Sequence, residues 1–71
     1  MKSKLPFSNR LRELREEHGR MTQADLGAAI GVTRQTIIAI EQGRYSPSLE
    51  SAFRIARVFD VPIDSVFFWN E

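Results

Sequence analysis

Apolar residues along this chain recur at intervals of three and four positions, the spacing that places side chains on one face of an α-helix. The pattern predicts four helices of ordinary length, in residues 8–19, 22–30, 33–42 and 49–59. The segment IDSVFFW, residues 63–69, predicts a short fifth helix or an irregular apolar tail. Because little in the sequence indicates strands, the predicted fold class is all-α, a compact five-helix bundle.

Hydroxyl-bearing residues stand where the first four predicted helices would begin. Such residues accept hydrogen bonds from the free backbone N–H groups of a helix's first turn. The candidate caps are Ser8, Thr22, Thr33 and Ser48. Asp25 follows Thr22 by three positions, which is the spacing of a capping box. A glycine stands at the end of each of the first three helices, where the left-handed backbone of a helix end suits glycine.

The second and third predicted helices are separated by only Gly31 and Val32. Two residues are too few to join antiparallel neighbours, so the two helices should cross steeply, as in a helix-turn-helix. Gly27 supplies a small residue for the crossing, and Gly31 can adopt the left-handed conformation of the turn. The apolar residues expected to share one core are Leu26, Ile30, Val32, Ile37 and Ile40.

Composition narrows the class of protein further. The 71 residues suffice for one domain, and the lack of cysteine excludes disulfides and thiolate zinc and suits a reducing cytosol. The N-terminus lacks the apolar run of a signal peptide, and Asp60, Pro62 and Asp64 interrupt the longest apolar stretch near the C-terminus. We therefore expect a soluble, cytoplasmic protein without a membrane span. The net charge of +1 is only weak evidence for a nucleic-acid partner.

The third predicted helix has an outward face that suits base recognition. If Ile37 and Ile40 point into the core, the helical step of about 100° turns the other face outward. The candidate base-reading residues are Arg34, Gln35, Thr36, Ile38 and Ala39. Amide groups can read adenine, guanidinium groups guanine, and apolar side chains the thymine methyl group. Contact of Arg34 with a phosphate or a neighbouring carboxylate, and simple solvation of Gln35, remain open alternatives.

The chain resembles the phage-repressor and Cro type of helix-turn-helix regulators, in particular its compact bacterial members. The resemblance rests on the segments NRLRELREEHG, TQADLGAAIGVTRQTI, IEQGRYSPSLE and IARVFDVPIDSVF. It implies a lambda-repressor-like domain of five helices over residues 9–67, with an arm at 1–8 and a tail at 68–71. Two features depart from the family: GRMTQ has one more residue than the commonest spacing, and Ile38 is bulky where small polar residues are frequent.

The same resemblance implies that this domain binds operator double-stranded DNA, usually as a homodimer. The residues at phosphate-contacting positions are Gln23, Thr33, Arg44 and Tyr45. The free N–H groups of a helix N-terminus independently favour an anion near Gln23. Packing of Tyr45 against the turn at Pro47 is an alternative that is compatible with phosphate contact. Finally, the resemblance pairs Arg15 with Glu41, which would neutralise an acid that lies close to DNA.

Other classes of function find less support in the sequence. His18 is the only histidine, the chain has no cysteine and no glycine-rich phosphate loop, and no catalytic constellation of residues can be recognised. We therefore expect no catalytic residues, no metal, no cofactor and no small-molecule ligand. The predicted function is sequence-specific transcriptional regulation, as a repressor. An antitoxin or controller protein that regulates its own operon, and a protein-interaction module on the same fold, remain alternatives.

The C-terminal aromatic residues indicate how a dimer could form. Phe67 follows Ile63 by four positions and is expected in the core, which leaves Phe68 and Trp69 as candidates for a dimer contact. We expect a homodimer joined through the fifth helix and the tail. The alternative is that both aromatic side chains fold back over the first and fourth helices.

Overall fold

The computed structural model describes residues 5–70. Its elements in chain order are strand β1 (Phe7–Asn9), helices α1 (Leu11–Glu17), α2 (Gln23–Ile30), α3 (Arg34–Glu41) and α4 (Leu49–Phe59), a 3-10 helix (Ile63–Ser65), and strand β2 (Phe67–Trp69). The four predicted helices of ordinary length are confirmed. Residues 1–4 and 71, which belong to the predicted arm and tail, lie outside the described residues.

The predicted fifth helix is wrong, and the fold is therefore not purely α-helical. Ile63–Ser65 form one short 3-10 helix, after which the chain extends into β2. β2 pairs antiparallel with β1, and the partners are Phe7 with Trp69, Ser8 with Phe68 and Asn9 with Phe67. Adjacent aromatic residues favour extended backbone, and the paired strand supplies hydrogen bonds that a lone final turn would lack. Because β1 begins at Phe7 and β2 ends at Trp69, the folded domain extends beyond the predicted limits at residues 9 and 67.

The predicted cap at Ser8 is wrong for the same reason, since Ser8 lies inside β1. α1 begins at Leu11, and its N-cap residue Arg10 makes no side-chain cap. Instead, the Asn9 side-chain oxygen accepts a hydrogen bond from the Leu11 N–H at 3.1 Å. The other three caps are confirmed: the hydroxyls of Thr22, Thr33 and Ser48 each accept from a backbone N–H three positions on.

The core lies where the four helices meet and is closed by Val66, just before β2. Four of the five apolar residues predicted for the helix-turn-helix core are buried, and Val32 is partly buried against them. The buried cluster comprises Leu11, Leu14, Leu26, Ile30, Ile37, Ile40, Ile55, Ala56, Phe59 and Val66. Burial of apolar surface is the main favourable term for a domain this small, so these contacts hold the helix-turn-helix in place.

The strand pair ties both chain ends to the helices. The Arg10 N–H donates to the Val66 carbonyl at 2.9 Å, and the rings of Phe7 and Phe67 meet edge to face at 6.0 Å. The Asn9 amide also donates to the carbonyl of Ile40 at 2.9 Å, which connects β1 with the last turn of α3. No helix within residues 5–70 is long and apolar enough to cross a membrane.

Candidate nucleic-acid interface

The turn between α2 and α3 depends on two glycines that the sequence singled out. A β-carbon built on Gly27 would lie 2.7 Å from the carbonyl oxygen of Val32, which is closer than side chains approach backbone. Gly31 ends α2 with φ +80°, in the left-handed region that favours glycine. The two residues let α3 begin at Arg34, with its first turn exposed beside the start of α2.

The inward and outward faces of α3 follow the predicted division. Ile37 and Ile40 are 0% and 1% exposed, so this face is fully used by the core. Arg34 and Gln35 are exposed at the first turn, where a docked helix reaches furthest into a groove. The other three predicted base-reading residues, Thr36, Ile38 and Ala39, are half-buried.

Thr36 differs from the other predicted base-reading residues because its hydroxyl is already engaged. Its oxygen lies 3.1 Å from the hydroxyl oxygen of Thr33, and its backbone N–H donates to that same oxygen at 3.2 Å. Both threonine side chains therefore stabilise the start of α3. Thr33, a predicted phosphate contact, is exposed, and its N-terminal position leaves it at the surface of the turn.

Glu41, at the end of α3, is neutralised by an ion pair with Arg15 of α1. The Arg15 Nε and Nη2 atoms donate to the two Glu41 carboxylate oxygens at 2.6 and 3.1 Å, a bidentate geometry. The two side chains are only 12% and 9% exposed. Arg15 also donates to the Met21 carbonyl at 2.9 Å, and the Gln23 amide donates to Glu41 at 3.1 Å. One carboxylate thus connects α1, α2 and α3.

The predicted phosphate contacts flank α3 on both sides. Gln23 is the first residue of α2. Its side-chain amide donates one hydrogen bond to the Glu41 carboxylate, and the second amide hydrogen can be donated to another acceptor. Arg44 and Tyr45 are exposed just after α3. Within residues 5–70, Arg44 makes no ion pair, so its charge is available to a partner molecule.

The carboxylates of the helix-turn-helix are both satisfied internally. Between Arg20 and Pro47, only Asp25 and Glu41 are acidic. The hydrogen bond from the Thr22 backbone N–H, assisted by the Thr22 hydroxyl, holds the pKa of Asp25 below its ordinary value. Because Arg15 neutralises Glu41, the exposed carboxylate of Asp25 is the one acid of this segment that has no ion pair in the described chain, and the surface formed by α2 and α3 offers mainly hydrogen-bond donors and cations to an anionic partner.

A cavity of about 1060 Å³ opens beside this surface, between α1 and the beginnings of α2 and α3. We call it the arginine cavity; its charged lining residues are Arg12, Arg15, Arg20, Arg34, Glu16 and Glu41. Arg12 and Arg20 are not among the site residues predicted from the sequence. Arg12 and Arg20 are brought together by the path of the loop after α1. The one sequence feature that pointed to an unusual loop there is the extra residue in GRMTQ.

The two predicted dimer residues are exposed, but on a strand and not on a helix. Phe68 and Trp69 are 37% and 69% exposed in β2. They line a groove of about 440 Å³ together with Leu49 at the start of α4. Leu49 and Phe53, one helical turn apart, are also exposed. We call these four side chains the apolar patch.

The described residues contain no group of three or more acidic or histidine side chains placed to hold a metal ion. His18 packs edge to face against Phe59, with ring centroids 5.5 Å apart, at the end of α1. This contact gives the single histidine a packing role.

Comparison with known proteins agrees with this geometry. A family model described as helix-turn-helix matches residues 11–66, from the first residue of α1 to the end of the core. The chain belongs to this helix-turn-helix family. The resemblance stated from the sequence is therefore confirmed at the level of the family.

Relatives within the helix-turn-helix family match over much of the chain. An uncharacterized HTH-type transcriptional regulator of Methanocaldococcus jannaschii is 49% identical over 65 residues, which are 92% of this chain and 97% of the relative. YgzD of Bacillus subtilis, also named an uncharacterized HTH-type transcriptional regulator, is 44% identical with the same coverage. The cryptic phage CTXphi transcriptional repressor RstR of Vibrio cholerae is 39% identical over 80% of this chain and 50% of RstR.

Proposed function

We propose that this protein is a sequence-specific DNA-binding transcriptional regulator that represses by docking α3 in the major groove of a two-fold operator. The observation that carries the proposal is the division of α3 into a fully buried face and an exposed first turn that bears Arg34 and Gln35. Relatives named as transcriptional regulators, one of them a repressor, support it. Such a protein acts in the cytoplasm and associates with the nucleoid when it binds DNA.

The base-reading role falls on the first two turns of α3. Gln35 can donate to and accept from adenine, and Arg34 can bind guanine through two parallel hydrogen bonds. Ile38 and Ala39, one turn further on, offer apolar surface to a thymine methyl group. Thr36 contributes less in this proposal, because its hydroxyl already faces Thr33.

The phosphate-binding role falls on residues at both ends of the helix-turn-helix. Gln23 and Thr33 lie at the starts of α2 and α3, and Arg44 and Tyr45 follow α3. Contacts of this kind orient the protein on the duplex without reading its sequence. The engagement of Glu41 by Arg15 supports this role, because a free carboxylate there would repel the DNA backbone.

A second copy of this chain completes the proposal by covering the apolar patch. One helix-turn-helix reads few base pairs, and two-fold dimers place two recognition helices on half-sites about one DNA turn apart. The exposed aromatic side chains of Phe68 and Trp69 and the adjacent groove form surface of the type that is enriched at interfaces. The contact is proposed through β2 and the start of α4, since the fifth helix is absent.

The test begins with selection of a preferred duplex from a random-sequence pool, followed by mobility-shift titration against that duplex and against the pool. Gln35→Ala is expected to weaken the selected duplex by about 1–3 kcal/mol and to leave binding to the pool nearly unchanged. Glu13→Ala is the control and should alter neither, because Glu13 is exposed on α1 and lies outside both the arginine cavity and the groove beside Trp69. Equal losses on both DNAs would remove Gln35 from base reading. If the chain gives no salt-dependent retardation at all, the interaction-module alternative is favoured.

A further inference from the structure

Arg20 adopts a backbone conformation that is costly for its side chain. It lies in the loop between α1 and α2 with φ +58°, in the left-handed region. Among the non-glycine residues of the described chain, only Asp60 shares a positive φ. Asp60 ends α4, where its backbone N–H donates to the carbonyls of Ala56 and Arg57. The left-handed backbone at Arg20 also serves the end of a helix, because it lets the Met21 N–H donate to the Arg15 carbonyl in the last turn of α1 at 3.0 Å. A glycine would avoid the strain, so the arginine side chain itself needs an explanation.

The charges around Arg20 leave it without an internal partner. Both carboxylates of the arginine cavity are engaged, Glu16 by Arg12 at 3.4 Å and Glu41 by Arg15. Within residues 5–70, Arg20 and Arg34 are the cavity arginines that make no ion pair. The cavity therefore carries a surplus of positive charge on its exposed side, next to the start of α2.

We propose that Arg20 binds a backbone phosphate of the DNA that α3 occupies. This inference rests on the proposed function and adds a contact to it. When a recognition helix enters the major groove, the preceding helix crosses the sugar-phosphate backbone. Gln23 and Arg34 line the same cavity as Arg20, so the strand that passes the start of α2 runs along its rim. A guanidinium group suits this position because it can bind two phosphate oxygens at once.

The charge of Arg20 is tested with a random-sequence duplex pool, because a phosphate contact carries no sequence preference. Arg20→Gln is expected to weaken binding to the pool several-fold. It should also reduce the slope of log affinity against log salt by about one for each bound subunit. Arg20→Lys keeps the charge and should retain most of the slope. Arg57→Gln is the matched control, since Arg57 is exposed, makes no ion pair in the described chain and lies outside the arginine cavity.

The backbone strain provides a second test with opposite signs. Arg20→Gly is expected to raise the melting temperature by roughly 2–5 °C while it weakens DNA binding and lowers the salt slope. Asp60→Gly relieves the same kind of strain outside the cavity, so it should not weaken DNA binding. A residue that only shapes the loop would not lose affinity as the domain gains stability.

The outcomes separate this inference from the proposal on which it rests. An unchanged salt slope in both Arg20→Gln and Arg20→Gly would overturn the phosphate contact, and so would an equal loss in Arg57→Gln. Gln35→Ala, measured in the same titrations, reports on the docking of α3. If Gln35→Ala loses discrimination and the Arg20 variants behave as wild type, only the Arg20 contact fails. If the wild-type chain gives no salt-dependent retardation of any duplex, the docking proposal itself fails.

Discussion

Replacing Gly27, a buried residue of α2, by valine should strongly destabilise the domain. The β-carbon alone would lie 2.7 Å from the Val32 carbonyl oxygen and 3.3 Å from two backbone atoms of Thr33. These are backbone atoms, and the Val32 N–H donates to the Gly27 carbonyl at 2.9 Å, so the turn cannot move away freely. Relief requires α3 to shift relative to α2, against buried Ile37.

The magnitude follows from two opposing terms. Overpacking of a well-packed site costs about 1–3 kcal/mol or more, and the two valine methyl groups add to the clash of the β-carbon. Valine is a better helix former than glycine, which returns about 0.4 kcal/mol. We expect a net loss of about 2–4 kcal/mol from a total stability of roughly 4–11 kcal/mol for a domain of this length. That corresponds to a fall in melting temperature of about 10–25 °C.

Thermal unfolding followed by far-UV circular dichroism measures this change. Ala28→Val is the matched control, because Ala28 is exposed on the same helix and should lose only about 0.5 kcal/mol of helix propensity. Both variants should be compared with wild type at one protein concentration, since dimerisation makes melting temperature depend on concentration. If Gly27→Val melts within about 2 °C of Ala28→Val, the close approach at the turn does not constrain the fold.

Three further outcomes are expected. Arg44→Ala should weaken binding to all duplexes and lower the salt slope by about one for each bound subunit, and an unchanged slope would remove it from the phosphate contacts. Because the folded pKa of Asp25 lies below its ordinary 3.8, its cap with Thr22 contributes fully above that pH and is lost as pH falls through the folded pKa. The difference in melting temperature between wild type and Asp25→Asn should therefore shrink in acid. A difference that stays constant with pH would show that the cap does not depend on the charge of Asp25. Phe68→Ser/Trp69→Ser should convert a dimer to a folded monomer in sedimentation equilibrium, and a wild-type monomer at tens of micromolar would refute the interface.

The helix-turn-helix was predictable because its signals are local. Thr22 and Thr33 mark the two helix starts, Gly31 marks the turn, and the spacing of Ile37 and Ile40 identifies the buried face. Each of these preferences acts within one or two helical turns, and all of them agree with the packing of the whole domain. The buried face of α3 also determined which residues point outward, so the candidate base-reading residues could be selected without a structure.

The strand pair could not be predicted because its cause is not local. β1 and β2 are three residues each, too short for an alternating pattern, and they lie at opposite ends of the chain. Helical spacing of Ile63 and Phe67 suggested a turn of helix where pairing with Asn9 instead favours extended backbone. Arg20 was missed for a related reason, since the direction of its side chain depends on a left-handed loop conformation.

In the proposed function the strand pair has a role, because a side chain of β1 contacts the last turn of α3. Asn9 uses both atoms of its amide, accepting from the Leu11 N–H and donating to the carbonyl of Ile40. Its strand partner is Phe67, two positions before Trp69 of the apolar patch. The proposed dimer surface is thus connected to the last turn of α3 through one side chain and one strand pair.

The beginning and the end of α3 are therefore fixed by different parts of the chain. The close approach of Gly27 sets where α3 begins, and the bonds from Arg15 to Glu41 and from Asn9 to Ile40 hold its last turn. A recognition helix that is already rigid loses little conformational entropy when it enters a groove, which leaves more of the contact energy for affinity. In a two-fold dimer, the same rigidity fixes the separation of the two recognition helices, so half-site spacing becomes a property of the folded chain. The two short strands, one of which stands in place of the predicted fifth helix, are, in this proposal, the elements that relate subunit contact to operator geometry.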